Sequence, residues 1–298
     1  MTTPPAPAVP EPPAAHRPPE PPSAPAPLTW LYVPGDRPDT VAKALRSGAD
    51  TVIVDLEDAV RPDRKEYARA ATAELLTERP PVPVHVRVNA LDGPLAGPDI
   101  RALAGLPGLG GLRLPKVDSA TTVVRVAELS DATPLFALLE SALGIERAYR
   151  IASAHPALHG IAIGETDLRA ELGLDPPADP AGAADTGLDW ARGRTVCAAR
   201  AAGLPPPAQS VHPDVRDLEG LAASCARGRA LGFLGRAAIH PRQLPVIEAA
   251  YRPTPAQLAA AREIVAADGE GAVALPDGRF VDTAVVAAAR RVLGRARE

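Results

Sequence analysis

The stretch Leu135–Asp167, LFALLESALGIERAYRIASAHPALHGIAIGETD, holds two short apolar runs separated by a segment with helical periodicity. The runs at 135–139 and 160–163 predict β-strands, and the segment between them predicts a helix. Glu140 follows the first run, and Asp167 follows the second. Parallel strands joined by helices place their carboxyl ends at one edge, where carboxylates serve as ligands for a hard divalent cation such as Mg²⁺.

The same alternation of strand and helix continues through the chain from Leu28. Eight parallel strands with intervening helices in about 250 residues are typical of a TIM (β/α)8 barrel, the α/β fold that we predict. An open doubly wound sheet is the alternative, but no Gly-x-Gly-x-x-Gly turn follows the first strand. The predicted strands are Trp30–Val33, Thr51–Leu56, Val84–Val88, Gly111–Leu114, Leu135–Leu139, Gly160–Ile163, Ser210–Val211 and Gly235–Ile239. The predicted helices are Thr40–Ser47, Lys65–Leu76, Ala120–Leu129, Ile145–Ala154, Ala191–Ala202, Leu218–Leu231 and Pro241–Ala250, with none between Ala90 and Gly110, which is rich in Gly and Pro.

The two ends of the chain differ from this pattern. The first 27 residues contain 12 of the 36 prolines and almost no large apolar side chain. Such a segment cannot bury enough surface to offset its ordering entropy, and it lacks the apolar core of a secretion signal, so we predict a disordered Pro/Ala-rich tail over 1–27. The barrel is then predicted over 28–251. Helices predicted at 255–267 and 283–295, with a Gly-rich hairpin-like stretch between them, form an extension over 252–298.

Composition argues against several classes of function. The chain has 298 residues, a net charge of -4 and no apolar run long enough to span a bilayer, so we expect no membrane partner. Its 32 Lys and Arg against 36 acidic residues form no basic stripe, which favours a small-molecule ligand over nucleic acid. Cys197 and Cys225 lack the Cys-x-x-Cys spacing of thiol chemistry. So few cysteines are consistent with a reducing cytoplasm.

Charged residues also follow other predicted strands. Asp36 follows strand one, the run DLED (55–58) closes strand two, Arg87 lies at the end of strand three, and Lys116 follows strand four. One mouth of the predicted barrel therefore gathers carboxylates around at least two cations. This arrangement suits a metal site that also binds an anionic substrate. Arg87 has a structural alternative, as an ion-pair partner in the core.

Five short motifs occur in order along the chain: LYVPGDRP (31–38), VDLEDAV (54–60), VRVNA (86–90), LPK (114–116) and AAIHP (237–241). In these motifs the chain resembles the citrate lyase beta subunit group of the HpcH/HpaI aldolase superfamily, over nearly everything from Leu28 onward. The resemblance implies a TIM barrel with a C-terminal helical lid extension and Mg²⁺ as the cofactor. It also implies a carbon–carbon lyase, or the reverse condensing enzyme, whose substrates are a CoA thioester such as citryl-CoA, malyl-CoA or citramalyl-CoA and a small carboxylic or keto acid.

The resemblance also implies roles for individual residues. Glu140 and Asp167 are the metal ligands, and Glu140 also contributes to substrate binding. Arg87 grips the substrate carboxylate, and Glu57 lies near the metal-bound waters beside the substrate. Asp282, in the run RFVD (279–282), stands where the family has a C-terminal Met-Ile-Asp motif that reaches into a neighbouring subunit's mouth as the acid/base. A homotrimer or hexamer is therefore expected.

Two residues depart from the family pattern. Gln209 and His212 occupy a stretch where the family commonly has Ile-Asp-Gly-Val, and we expect them to influence the choice of acyl substrate. For His212 a surface or turn position is the alternative. Two other functions stay open at this point: a pyruvate-type class II aldolase, and a non-catalytic citrate lyase-like subunit.

Overall fold

A parallel sheet dominates the protein. The structure, a computed structural model, describes residues 26–131, 133–175, 186–268, 273–274 and 278–296. Its strands are β1 (Thr29–Pro34), β2 (Thr51–Asp55), β3 (Val84–Arg87), β4 (Leu109–Leu114), β5 (Leu135–Leu139), β6 (Leu158–Ile163) and β7 (Arg236–Ala238). Their order in the sheet is β6-β5-β4-β3-β2-β1-β7. Sequential strands are thus neighbours, and the last strand pairs with the first, as the repeated strand-helix pattern predicts.

The predicted seventh strand, at 210–211, is wrong. In that region the described residues form one isolated parallel bridge, between Gln209 and Arg236 of β7. The three prolines at 205–207 explain this, because proline has no amide proton to donate to a ladder. Residues from both ends of the sheet, Ile163 on β6 and Ser210, nevertheless line one cavity. The α/β sheet is therefore curled, although its hydrogen-bonded ladder does not close within the described residues.

Helices cover the outer side of the sheet. The predicted helix at 145–154 is divided into two short helices, and one helix forms where none was predicted. That helix, at 96–103, tolerates Gly97 and Pro98 because both lie in its first turn, where the amide groups have no partner within the helix. The helices are α1 (Pro38–Ala44), α2 (Lys65–Leu76), α3 (Ala96–Leu103), α4 (Ala120–Leu129), α5 (Ala142–Glu146), α6 (Ala148–Ala152), α7 (Glu165–Glu171), α8 (Asp189–Ala201), α9 (Leu218–Leu231), α10 (Leu244–Tyr251), α11 (Pro255–Ala266) and α12 (Thr283–Leu293).

Helix α7 corrects the predicted position of Asp167. Strand β6 ends at Ile163, and α7 begins two residues later at Glu165. Glu165 and Asp167 occupy the first turn of this helix, where the helix dipole favours negative charge. Asp167 is therefore not at the end of a strand but within the first turn of the helix that follows it.

The two faces of the sheet have different environments. Val52 and Val54 of β2 are fully buried in the apolar core between sheet and helices. Ile53 and Asp55 alternate with them and so point to the inner side of the curled sheet. The inner side thus receives polar side chains, and this alternation brings the charged residues at the strand ends together.

The C-terminal part of the chain forms its own small unit. Strand β8 (Val273–Ala274) pairs antiparallel with β9 (Phe280–Val281), which confirms the predicted hairpin-like stretch. Helices α11 and α12 pack against each other. Residues 1–25 of the predicted tail lie outside the described residues, and the boundaries at 28–251 and 252–298 stay predictions. Among the helices that the structure describes, none has both the length and the apolar character needed to cross a bilayer.

His85 of β3 is buried on the inner side of the sheet. Its ring stacks on Phe136, with ring centroids 4.3 Å apart. Burial lowers the pKa of His85 well below the usual range of histidine, and the positive charges of Arg113 and His159 lower it further. The folded protein therefore holds His85 in the neutral form.

We expect acid to destabilise the fold through His85. Because its pKa is lower in the folded than in the unfolded state, the unfolded chain binds more protons, and the free energy of unfolding falls as the pH drops below about 6.5. Urea denaturation between about pH 5 and pH 7 should show a shallower pH dependence for His85→Gln than for the wild type. The control is His240→Gln, which leaves His85 and its neighbours Phe136, Arg113 and His159 unchanged and should stay closer to the wild-type slope than His85→Gln does. Equal slopes for His85→Gln and the wild type would contradict this account.

Candidate active site

A cavity of about 420 Å³ lies at the carboxyl ends of the strands. Its wall is built by residues of β1, β2, β3, β5, β6 and β7 and of the segment at 210–211. The prediction that the strand ends converge on one mouth is confirmed. Its polar and charged lining residues are Tyr32, Asp55, Asp58, Arg87, Glu140, Glu165, Thr166, Asp167 and Ser210.

Arg87 is both a lining residue and a buried ion-pair partner. Its Nε and Nη2 donate to the two carboxylate oxygens of Asp55 over 2.8 and 2.6 Å, and the two residues are opposite each other in the β2–β3 register. Its Nη1 lies 2.9 Å from Oε2 of Glu57. Burial alone would lower the pKa of Arg87, but its hydrogen bonds with Asp55 and the charge of Asp55 raise it, so Arg87 is a permanent cation. Since Asp55 occupies one bidentate edge of the guanidinium, a substrate carboxylate has to approach another edge.

Glu57 lies behind Arg87 and is not among the residues that line the cavity. Burial raises the pKa of Glu57 to about 7; the charge of Arg87 opposes this rise, while Asp58 and Glu140 add to it. In the part of the chain that the structure describes, Oε2 has no partner in hydrogen-bond geometry, although Arg87 is close. A carboxyl group with a pKa near neutrality is equipped to take up or release a proton.

Glu140 is held in place by its backbone neighbours. Its Oε2 accepts a hydrogen bond of 2.9 Å from the amide of Lys116, whose backbone is left-handed with φ of 50°. A Cβ atom at Gly164 would lie 2.5 Å from Cγ and Oε1 of Glu140, so glycine permits this close approach. Burial raises the pKa of Glu140; the Lys116 amide and Arg87 oppose the rise, and Asp167 adds to it.

Glu140 and Asp167 are the two metal ligands predicted from the sequence, and the structure brings them to one cavity. Both line the cavity, and Oε1 of Glu140 accepts no hydrogen bond from the described residues. Those residues include no group of three His, Cys, Asp or Glu side chains that could hold a metal ion. An ion bound here would therefore complete its coordination shell with water or ligand oxygens. This suits Mg²⁺, which keeps several waters and accepts one or two carboxylates.

Lys116 is an exposed cation at the rim. Although partial burial opposes the change, the carboxylates of Glu57, Asp167, Asp58 and Glu140 raise the pKa of Lys116. The side chain is not among the lining residues of the cavity. Its clearest contribution to the site is therefore the backbone amide that orients Glu140.

Asp282 does not join these residues within its own chain. It is the N-cap of α12, and its Oδ1 accepts a hydrogen bond of 2.9 Å from the amide of Val285. It is absent from the described lining of the cavity. Helix capping accounts for the residue locally, and its predicted role in a neighbouring subunit stays a prediction.

Gln209 and His212 lie outside the cavity wall as well. Nε2 of Gln209 donates to the carbonyl oxygen of Ser224 over 3.1 Å, and the hydroxyl of Tyr251 donates to its Oε1. His212 is buried, with Nε2 3.3 Å from Oδ2 of Asp217. The surface or turn position considered for His212 is therefore wrong. Both side chains pack behind the site, so their expected influence on the acyl substrate would have to be indirect.

Three lining residues received no role from the sequence. Asp55 fixes Arg87, Tyr32 lies beneath Arg87, and Glu165 accepts a hydrogen bond of 3.1 Å from Nε of Arg192. Asp55 and Arg87 each close a predicted strand, and adjacent parallel strands place such residues side by side. That signal was present in the sequence. The long-range partner Arg192 had no comparable signal.

Comparisons with known proteins identify relatives of this chain. The family described as HpcH/HpaI aldolase/citrate lyase matches residues 28–241. A (3S)-malyl-CoA thioesterase of Cereibacter sphaeroides is 38% identical over 275 residues, covering 89% of this chain and 93% of that protein. The CitE protein of Mycobacterium tuberculosis, crystallised with magnesium, acetoacetate and coenzyme A, has a TM-score of 0.79 and 37% identity, covering 92% of this chain and 99% of the other. A citrate lyase beta subunit from the same organism, complexed with oxaloacetate and magnesium, has a TM-score of 0.67 and 36% identity, covering 76% and 98%.

We expect Asp55→Asn to destabilise the fold. The side chain of Asp55 is 2% exposed and holds Arg87 through two hydrogen bonds, and removing one partner of a buried ion pair costs about 3–5 kcal/mol. Urea denaturation should show a loss of roughly this size. Asp63→Asn is the control, because the Arg61–Asp63 pair is exposed and should contribute less than about 1 kcal/mol. Equal losses in the two variants would refute a special role for the buried pair.

Proposed function

The chain belongs to the HpcH/HpaI aldolase/citrate lyase family, and on that premise we propose that it is a Mg²⁺-dependent carbon–carbon lyase. Its substrate would be a 3-hydroxyacyl-CoA thioester such as citryl-CoA, malyl-CoA or citramalyl-CoA, and the reverse condensation would use the same site. The observation that carries the proposal is that Glu140, Asp167 and Arg87 line one cavity at the strand ends. The relative crystallised with magnesium, acetoacetate and coenzyme A supports this assignment of ligands.

Glu140 and Asp167 would hold the Mg²⁺ ion. When bound, the ion supplies a Lewis acid that polarises and orients the oxygen atoms of the acid fragment. Burial and the charge of Asp167 already raise the pKa of Glu140, and a divalent cation would relieve the repulsion between the two carboxylates. Arg87 would bind the substrate carboxylate through an edge that Asp55 leaves accessible, and Glu57 would lie next to the bound acid.

The proposed cleavage needs two proton transfers. The 3-hydroxyl group of the thioester loses its proton as the bond between C2 and C3 breaks, which leaves a carbonyl acid and the enolate of a shorter acyl-CoA. The enolate then takes up a proton at C2. In the reverse direction a base removes that proton, and the enolate attacks the carbonyl carbon of the acid. A carboxylic acid next to C2 can carry this proton. We assign this acid/base role to Asp282 of a neighbouring chain.

An assembly of subunits belongs to this proposal. Asp282 does not line the described cavity of its own chain, and it directly follows the β8–β9 ladder. We infer a homotrimer or hexamer in which residues 252–298 act as a lid on a neighbour's mouth. A site completed by a second chain would explain why the described cavity contains metal ligands but lacks this acid.

Thioester hydrolysis is a second candidate function. It is favoured by the (3S)-malyl-CoA thioesterase of Cereibacter sphaeroides, which is 38% identical to this chain. Hydrolysis would release free CoA and the intact hydroxy acid, whereas the lyase reaction releases a shorter acyl-CoA and a keto or aldehyde acid. The products therefore separate the two reactions without ambiguity.

The test is to incubate the purified protein and Mg²⁺ with the three CoA thioesters and to identify the products by mass spectrometry. A shorter acyl-CoA from at least one thioester supports the lyase. Free CoA together with an intact hydroxy acid would contradict the lyase proposal and show that the protein hydrolyses the thioester. Cleavage of free hydroxy-keto acids without CoA would indicate a pyruvate-type class II aldolase, and no turnover with any substrate would leave the non-catalytic subunit.

We expect Glu140→Gln and Asp167→Asn to abolish turnover and Mg²⁺ binding, because each removes a charged ligand but keeps the shape of the side chain. Glu171→Gln, at the far end of α7 and outside the cavity wall, is the matched control and should behave like the wild type.

Arg87→Lys should lose at least ~10-fold in kcat/KM, since a hydrogen bond to a charged group is worth roughly 1.5–3 kcal/mol. Wild-type activity in either acid variant would overturn the metal assignment, and in Arg87→Lys it would make Arg87 purely structural.

Asp282 can be tested by complementation between chains. We expect Asp282→Asn and Glu140→Gln to be inactive alone but partly active when co-expressed with different affinity tags and purified over both. Some mouths would then combine an intact metal site with an intact acid. Co-expressed Glu140→Gln and Asp167→Asn are the control and should stay inactive, because every mouth lacks one metal ligand. Mixed oligomers of the first pair without activity would show that Asp282 does not act across the interface.

A further inference from the structure

Arg113 is a buried cation beneath the cavity. It lies on β4 opposite Arg87 of β3 and is 5% exposed. The salt bridges of the described residues include none for Arg113, and its Nε is buried without a hydrogen-bond partner among those residues. Its guanidinium carbon lies 5.5 Å from the centroid of the Phe136 ring, and its side chain is a neighbour of the Tyr32 side chain. The charge of Arg113 is therefore offset by no carboxylate contact in the described structure.

Tyr32 connects this buried cation with the cavity. It lines the cavity wall, and the guanidinium carbon of Arg87 lies 5.3 Å from the centroid of its ring. Because an arginine side chain can only donate, the Tyr32 oxygen can interact with Arg113 as an acceptor, which leaves the phenol proton for another partner. Burial raises the pKa of Tyr32 although Arg113 and Arg87 oppose the rise, so its phenol keeps the proton. None of the hydrogen bonds within the described residues is donated by this hydroxyl.

The two arginines contribute differently to the cavity. Arg87 is compensated by Asp55 and Glu57, with nitrogen–oxygen distances of 2.6 and 2.9 Å. Arg113 has no such partner within the described residues, and burial strengthens the field of an uncompensated charge because the surroundings have a low dielectric constant. The cavity floor at Tyr32 is therefore favourable for an anionic oxygen.

We propose that Tyr32 donates its phenol proton in a hydrogen bond to a carboxylate oxygen of the acid bound in the cavity, and that Arg113 is the positioning residue that holds Tyr32 for this contact. The pair selects acids that carry a second carboxylate over acids that carry one. The identity of the acids rests on the proposed function, but the selection itself is a binding property and does not require turnover.

Oxaloacetate and acetoacetate are the probes, because they differ by a carboxylate in place of a methyl group. Their affinities for the full-length protein with Mg²⁺ are measured by isothermal titration calorimetry on freshly prepared solutions. We expect the wild type to bind oxaloacetate at least ~10-fold more tightly. Tyr32→Phe should reduce that ratio by about 10-fold, which corresponds to the loss of one hydrogen bond to a charged group. Arg113→Met should reduce the affinity ratio to a similar extent. The double variant should reduce the ratio no further than the more affected single variant does, because both changes remove the same contact.

Tyr251→Phe is the matched control, since it deletes the same hydroxyl from a buried tyrosine that contacts Gln209 outside the cavity. It should keep the wild-type ratio even if it lowers the melting temperature. A wild-type ratio in Tyr32→Phe overturns the proposal, as does a wild type that prefers neither acid. If Arg113→Met does not fold, Tyr32→Phe alone decides. Selective binding without carbon–carbon cleavage would count against the proposed function only, and cleavage without selectivity would count against this inference only.

Discussion

The buried ion pair between Arg87 and Asp55 is the interaction on which the site depends. Burying Arg87 and Asp55 separately would cost several kcal/mol each in desolvation, and the parallel register offsets much of this cost by placing the two opposite charges side by side. Asp55 also accepts the amide protons of Glu57 and Ala59 over 2.9 and 3.1 Å, so the turn after β2 is fixed by the same carboxylate. One side chain thus determines the orientation of Arg87 and the position of Glu57.

Negative charge exceeds positive charge around the cavity, and this imbalance is the physical argument for a metal ion. Burial and neighbouring carboxylates raise the pKa of both Glu57 and Glu140. Such shifts report that additional negative charge is unfavourable there. Asp167 adds to the repulsion at Glu140, while Arg87 is already committed to Asp55. A divalent cation between Glu140 and Asp167 would stabilise the ionised carboxylates at lower cost than any rearrangement of the side chains.

The parts of this structure that were predictable are those encoded by local patterns. The predicted bounds of β5, α2, α4 and α9 agree with the structure, because periodicity and the flanking residues act within one segment. Features that depend on partners distant in the chain were missed. Asp167, the proposed metal ligand, was taken for a strand end although it lies in the first turn of α7. The segment after the three prolines at 205–207 forms only a single parallel bridge to the sheet. For Arg87 the ion pair in the core that the sequence analysis considered is confirmed, and its partner Asp55 closes the neighbouring strand.

The arrangement of charge gives the cavity a direction. The proposed ligands of a cation, Glu140 and Asp167, lie at the end of β5 and in the first turn of α7, whereas Arg87 and Arg113 lie on β3 and β4. An acid whose chelating oxygens meet the metal on one side can therefore reach Arg87 and Tyr32 only with its other end. Reversing the ligand would direct its carboxylate at Glu140 and Asp167 and leave the arginine side without an anion. The orientation of the bound acid thus follows from the separation of opposite charges on different elements of the fold. A reaction that breaks one particular bond of the substrate needs that orientation before any proton moves.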